Sequence, residues 1–315
     1  MSAFLAFGQL LPGQMVDAAS AAQSAVAGAG STSAASTLSV SLGVYDPDRA
    51  FHDQSALSKE HYFLSWHALD RTWARSLFRY AKLRNRPVLA TVEPFRRPGE
   101  TGSPTTHLRR IAAGTYNAEI KNVCGIIGEQ GSTVLVRWGH EMDDTSGRYP
   151  WAGGDPYAYI TAFRYFRKVC LQSAPLAKFV WSPIASKDPS LYYPGSSFVD
   201  IIGLPIWGLQ KLDMDYYRRG RSFSELLGEK YRYVASRNKP VIVAEFGASG
   251  DRAYREAVFS GIQAARKNHP LLRSVLYFNM KEPFPWWSDY GTPDWRVDPD
   301  WYVALATGTA ATAAR

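Results

Sequence analysis

Between residues 37 and 279 one pattern recurs eight times: a short β-branched or apolar run, then in most cases a longer amphipathic stretch. The runs are TLSVSLGVY (37–45), YFLSW (62–66), PVLATVE (87–93), TVLVRWGHE (133–141), KFVWSP (178–183), VDIIGLPIW (199–207), PVIVAEF (240–246) and SVLYFN (274–279). Runs of this length and composition read as buried strands. The segments LDRTWARSLFRYAKL, YNAEIKNVCGIIGEQ, PYAYITAFRYFRKVC and REAVFSGIQAARKN space their apolar residues at three and four, the period of an amphipathic helix. A helix is expected after every strand except, at most, the last. Eight strands alternating with helices in about 270 residues predict one α/β domain, a (β/α)8 TIM barrel. A doubly wound sheet is the alternative, but no glycine-rich phosphate loop follows the first strand.

A barrel makes a positional claim, because its βα loops gather functional residues at the carboxyl ends of the strands. Polar and aromatic residues do cluster there: Tyr45 and Asp46, Trp66 and His67, Glu93, His140 and Glu141, Trp181, Trp207, Glu245, then Asn279 with Lys281 and Glu282. Strand interiors read as Val, Leu and Ile. Glu141 ends the fourth run and Glu245 lies in the seventh, about three βα units on. In a closed ring the two carboxylates can face each other across the mouth. A pair roughly 5–5.5 Å apart suits retaining glycoside hydrolysis. One carboxylate attacks the anomeric carbon; the other holds a proton near neutral pH and delivers it to the leaving oxygen. The plainer alternative, two solvated salt bridges, does not explain why both acids fall in register with the barrel.

Family features accompany the pair. VLVRWGHEMDD, followed by GRYPWAGG, resembles the fourth-strand motif of glycoside hydrolase family 26, and VIVAEFGASG resembles that family's seventh-strand nucleophile motif. FVDIIGLPIWG and VLYFNMKEPFPWWSDYGTPDWRVDP are similar to its sixth and eighth strands, so the likeness spans about residues 40–305. The resemblance implies a (β/α)8 retaining hydrolase of clan A acting on β-linked polysaccharides: mannans, mixed-linkage glucans or β-1,3-xylans. It implies Glu141 as acid/base, Glu245 as nucleophile and His140 as a hydrogen-bonding neighbour in the sugar cleft. Arg137 matches the family's arginine; it either holds a carboxylate ionised or ties strands together. Two departures stand out. Asp143 and Asp144 replace the usual Asn-Gly, and could raise the pKa of Glu141 or reshape a subsite. Pro205, Ile206 and Trp207 replace an Asp-x-Tyr whose hydroxyl donates to the nucleophile, a role that an indole N–H could fill.

Trp66, Trp151, Trp181, Trp207, Trp286 and Trp287 sit at or just past strand ends, where they could stack on pyranose faces or simply pack. Trp207 and Trp286 are the strongest candidates for sugar contact. His67 and Glu93 could line the glycone side, and Asn279 completes the binding set. No cofactor is expected. The six histidines form no H-x-H pair and no H-E-x-x-H, which argues against a metal hydrolase. A non-catalytic glycan-binding barrel remains the alternative, although retention of both glutamates speaks against it.

The formal charge of +8 is spread along the chain with no nucleic-acid motif, so a nucleic-acid partner is not expected. The charge suits an exopolysaccharide bearing acidic substituents, or peripheral association with a membrane surface. A monomer is expected. Residues 1–37 are rich in Ala, Ser and Gly, with no Lys or Arg, and read as a leader or tether, with a signal-derived leader as one alternative. Residues 38–305 read as the hydrolase domain and 306–315 as a flexible tail. A secreted or periplasmic location is the expectation. Cys124 and Cys170 each fall in a helical pattern; two buried thiols are the plain reading, and an interhelix disulfide the alternative.

Overall fold

Aliphatic runs one strand long become strands here, and the three-four pattern becomes helices laid against their outer faces. The computed structural model describes residues 39–286 and 290–309. In chain order the first half consists of β1 (Ser41–Tyr45), β2 (Leu57–Ser65), α1 (Arg71–Leu83), β3 (Val88–Glu93), α2 (Pro104–Ala112), α3 (Asn117–Gly128), β4 (Leu135–Trp138) and α4 (Pro156–Ser173). The second half consists of β5 (Lys178–Trp181), β6 (Ile201–Leu209), α5 (Gln210–Tyr217), α6 (Phe223–Val234), β7 (Val241–Ser249), α7 (Arg252–Ser260), β8 (Leu272–Phe278) and α8 (Pro299–Thr307). The eight strands close in sequence order, each parallel to its neighbours, with β1 against β8. The fold is a single (β/α)8 barrel.

Helix starts are chemically marked. Asp70, Ser103, Asp155, Asp251 and Asp298 accept backbone N–H groups at the starts of α1, α2, α4, α7 and α8, and Ser222 with Glu225 forms a capping box on α6. Each such cap contributes about 1 kcal/mol.

The expectation of a helix after every strand needs correction. β1 runs to β2 through residues 46–56 with no helix, β5 is followed only by the 3-10 turn Ser190–Tyr192, and β8 does acquire a helix, α8. In the first loop Arg86 does the work of helical hydrogen bonding. Its buried guanidinium donates to the carbonyls of Phe51 (3.2 Å) and Gln54 (2.5 Å) and pairs with Glu60 (2.6 Å). The same carbonyls also accept from backbone N–H groups, Phe51 from Gln54 and Gln54 from Leu57 (3.3 Å each), so Arg86 adds a second donor to each. The helix α8 extends to Thr307, past the expected domain end at 305. The leader at 1–37 and residues 310–315 of the tail lie outside the described residues.

Cys124 on α3 and Cys170 on α4 form a disulfide, which corrects the plain reading of two buried thiols. A cross-link between positions 46 residues apart stabilises by roughly 4 kcal/mol on chain-entropy reasoning. Among the described residues, no helix is long and apolar enough to cross a membrane.

Inside the barrel Leu89, Val180, Ile242, Ala244 and Leu276 form a closed apolar layer. Side chains alternate along a strand, so the residues two further on point into the same interior. There the expectation of purely aliphatic strand interiors fails. His61, Thr91, Arg137 and Ser182 form a polar layer, joined by His61 Nε2 to Thr91 Oγ1 (2.7 Å) and Arg137 Nε to Ser182 Oγ (2.8 Å). This layer is the floor of the site.

Candidate active site

β3 climbs from Leu89 through Thr91 to Glu93 on one face, so strict alternation delivers Glu93 to the barrel mouth. β7 cannot deliver Glu245 in the same way, because Ile242 and Ala244 already face inward and Glu245 is the next residue. Its register shifts relative to β6 between Leu204 and Pro205, pairing Leu204 with Val243 and Pro205 with Glu245. The extra residue is a bulge that turns Glu245 into the mouth, a common device beside active sites.

Glu141 arrives by a third route. β4 ends at Trp138, three residues earlier than the sequence suggests, so Glu141 lies on the turn beyond it, with a positive φ of 53°. That conformation costs a non-glycine residue about 1–2 kcal/mol. The backbone holds it: Glu141 N–H donates to the Ser182 carbonyl (2.7 Å), and its carbonyl accepts from Asp144 N–H (3.0 Å).

Both glutamates line one cleft of about 580 Å³ at the carboxyl ends of the strands, together with Glu93, His67, Trp207 and Trp286. Behind them Arg137, fully buried, forms an ion pair with Glu245 and also bonds Ser182 and Thr91, so it reaches β3, β5 and β7 from β4. One side chain thus pairs with a carboxylate and ties strands together. Glu141 is only 3 % exposed; its Oε2 lies 3.5 Å from Arg148 Nη1. Burial pushes its pKa up to about 7, Arg148 pulls the other way, and the Glu245 charge adds to the rise. Burial likewise pushes Glu93 up to about 7. Tyr45 is pushed up to about 12, first by burial and then by the charges of Glu93, Glu245 and Glu282. Among the described residues, no group of three or more His, Cys, Asp or Glu is placed to hold a metal ion.

Several expected sugar contacts are corrected by position. Trp66 and Trp181 are buried and point outward: Trp66 follows Ser65 and Trp181 precedes Ser182, both of which face inward. Trp66 stacks on Tyr116 and donates to the Phe95 carbonyl (2.7 Å). Trp181 packs edge-on to Tyr193. Trp151 is buried and donates to the His140 carbonyl (2.7 Å). His140 does not line the cleft. It is buried and hydrogen-bonded through Nε2 to the Tyr149 hydroxyl (3.0 Å), and burial holds its pKa well below the ordinary value. Asn279 is buried as a tie between Asp46 Oδ1 and Val297 N–H. Trp287 lies outside the described residues.

The two departures from the motif also resolve. Asp143 accepts N–H bonds from Ile184 (2.7 Å) and Ala185 (2.9 Å), and Asp144 accepts from Ser146 N–H (2.9 Å). These acids shape loops; the charges acting most on Glu141 are Arg148, Glu245 and Arg137. Among the described residues, no hydrogen bond joins Trp207 to Glu245, so the expected donor role of the indole is not met; the partner of Glu245 is Arg137.

Sequence reasoning missed the aromatic cluster lining the cleft, Tyr45 stacked on Phe278 (4.8 Å) with Phe63 edge-on (5.0 Å), and it missed Arg148 and Tyr149 on the loop. The alternation of His61, Phe63 and Ser65 with Tyr62, Leu64 and Trp66 carried the signal for Phe63. Arg148 and Tyr149 lie within the segment GRYPWAGG, but nothing in its residue pattern marked them as cleft residues.

A closed parallel barrel with two buried glutamates at its mouth, one beyond β4 and one on β7, is the arrangement that the family 26 resemblance implies. The comparisons with known proteins point the same way. The model of glycosyl hydrolase family 26 matches residues 107–237. A β-1,3-xylanase of an Alcaligenes species is 27 % identical over 189 residues, 56 % of this chain and 37 % of the relative. Mannan endo-1,4-beta-mannosidase A and B of Caldalkalibacillus mannanilyticus is 29 % identical over 163 residues, 48 % of this chain and 29 % of the relative. The matched part thus spans about a third of the length of these relatives. The structure of a family 26 β-mannanase from Bacteroides ovatus superposes with a TM-score of 0.60 at 13 % identity, over 85 % of this chain and 88 % of that one, a likeness of fold. Together these matches support the family 26 resemblance.

Proposed function

We propose that the protein is a retaining endo-acting β-glycanase in which Glu245 is the nucleophile and Glu141 the acid/base. The observation that carries the reading is the opposite treatment of two carboxylates in one cleft: Glu245 is ion-paired with Arg137, while Glu141 is buried and keeps its proton up to about pH 7. Environments that separate two carboxylates in this way assign the acid and the base. In the first step Glu141 protonates the glycosidic oxygen as a Glu245 oxygen bonds to the anomeric carbon and the leaving chain departs. In the second, Glu141 takes a proton from water, whose oxygen attacks the same carbon and releases Glu245. Tyr45, Phe63, Trp207 and Trp286 offer apolar faces to the sugar rings.

The substrate class proposed is a β-linked polysaccharide: mannan, β-1,3-xylan, β-glucan or a bacterial exopolysaccharide. The relatives' names favour the first two. Carboxylates outnumber guanidinium groups in the cleft lining, with Glu93, Glu100, Glu141, Glu245 and Glu282 against Arg96 and Arg148. The net positive charge is therefore not gathered at the site, and a neutral glycan fits better than one with acidic substituents. An exported location is also proposed; the disulfide supports it, since such bonds persist in oxidising compartments.

The test is Glu141→Gln. Hydrolysis of the best polysaccharide among mannan, barley glucan and β-1,3-xylan should fall by about 10²–10⁴-fold, the usual worth of a general acid. The loss should be much smaller on an aryl glycoside whose leaving group needs no proton. The acid must be protonated to act, so wild-type kcat/KM should decline as pH rises through about 7, and the variant should lack that limb. An unchanged rate, or the same limb in Glu141→Gln, would remove Glu141 from the mechanism.

A further inference from the structure

Glu141 has two tasks with opposite demands. It must hold a proton before the glycosidic bond breaks and lack one afterwards, when water attacks. The groups facing it come from every side: Glu245 on β7, Arg137 on β4, Lys230 on α6, and Arg148 on its own loop. Glu245 favours the protonated form only while it is itself an anion. Once it is esterified by the sugar that repulsion disappears, and the cations remain. Of these, Arg137 is committed to Glu245, Ser182 and Thr91. Arg148 is the cation ion-paired with Glu141, its Nη1 3.5 Å from an Oε2 that has no hydrogen-bond partner among the described residues.

The loop that carries Arg148 is built to hold it. Asp144 accepts from both Ser146 N–H (2.9 Å) and Ser146 Oγ–H (2.6 Å), and Ser146 Oγ in turn accepts from Arg148 N–H (3.3 Å). Gly147 supplies the left-handed turn (φ 84°) that brings the chain back. Gly153 N–H donates to the Met142 carbonyl (2.9 Å), closing the loop. The guanidinium sits 4.7 Å from the centre of the Tyr149 ring, and Tyr149 is anchored on His140. The head of Arg148 is thus placed from below, by the turn, and from the side, by an aromatic face, with 18 % of its side chain exposed to the cleft.

We propose that Arg148 is a positioning residue for the acid/base: it orients the Glu141 carboxylate and supplies the fixed positive charge that lets Glu141 change from proton donor to proton acceptor between the two steps. This rests on the function proposed above. In the first step the anionic Glu245 offsets Arg148 and the proton stays on Glu141. In the second, Glu245 is a neutral ester, Arg148 faces one anion fewer with Glu93 and Glu282 still near it, and the carboxylate form of Glu141 prevails. The proton Glu141 gave to the leaving oxygen is then replaced by one taken from the attacking water, so the cycle closes without any other proton carrier.

The test needs no substrate. The carboxyl carbon of Glu141, assigned through Glu141→Gln in protein labelled with 13C at glutamate Cδ, is titrated by NMR in wild type, Arg148→Met, Arg148→Gln and Arg148→Lys. The two neutral variants should move the midpoint to higher pH by roughly tenfold in the ionisation constant, one pH unit. Arg148→Lys, which keeps the charge, should stay near wild type. Arg148→Gln preserves length and polarity, so it serves if the Met variant does not fold. Wild-type titration in either folded neutral variant would overturn the proposal, as would a lysine variant that behaves like them. A protein that hydrolyses no β-glycan yet shows the expected shifts would refute the proposed function and leave the coupling of Arg148 to Glu141 standing.

Discussion

Glu245→Ala is expected to lower turnover on the best polysaccharide by on the order of 10⁴-fold, the scale on which loss of a covalent nucleophile is felt. Azide should restore part of the rate by entering the space left by the carboxylate. The product should be a glycosyl azide of inverted anomeric configuration, because the anion attacks from the side where Glu245 stood. Glu141→Ala rescued by azide should give the opposite outcome, a retained azide formed through the covalent intermediate. The pair of results assigns the two roles separately. Undiminished turnover in Glu245→Ala, or a retained azide from it, would take the nucleophile's role away from this residue. Some loss of stability should accompany the variant, since Arg137 is fully buried and would lose its counter-ion.

The second large effect concerns Arg137. Arg137→Met leaves Glu245 as a buried carboxylate without its cation and removes bonds to Ser182 and Thr91. Breaking a buried pair from one side costs about 3–5 kcal/mol. For a domain of this size that is a fall in melting temperature of roughly 10 °C. Arg137→Lys keeps the charge but lacks the planar fork that reaches three strands at once, and should fall between the two. Thermal melts and urea titrations read both. A Met variant that melts with the wild type would mean that the polar layer contributes little to the barrel and that Glu245 is compensated by something else.

The barrel is legible in the sequence because its strands and helices keep different periods, and because six aspartate or serine caps mark where helices begin. The site is legible for a narrower reason: the gathering of Glu93, Glu141 and Glu245 at one mouth of the barrel is a consequence of topology, which eight runs in order already imply. Facing direction is less accessible. Trp66 and Trp181 stand at the right height but on the outer side of their strands, and only counting alternate residues from Ser65 and Ser182 separates them from Phe63. For Glu245 even that counting fails, since a bulge reverses the face between Ala244 and its neighbour. Glu141 escapes strand logic altogether by lying on a turn with positive φ. The disulfide depends on α3 and α4 being neighbours, and the loop from β1 to β2 depends on Arg86, a residue whose partners in that loop lie more than 30 positions away. Asp143 and Asp144 adjoin the acid in the linear sequence, but in space their side chains accept from the backbone of two loops.

The stereochemistry of the first product tests the central claim most directly. Proton NMR of the reducing-end anomer released from mannan, barley glucan or β-1,3-xylan, recorded before mutarotation equilibrates it, should show the β form of the cleaved linkage. Accumulation of the α form first would require a water molecule between carboxylates set further apart, and would contradict a covalent intermediate on Glu245.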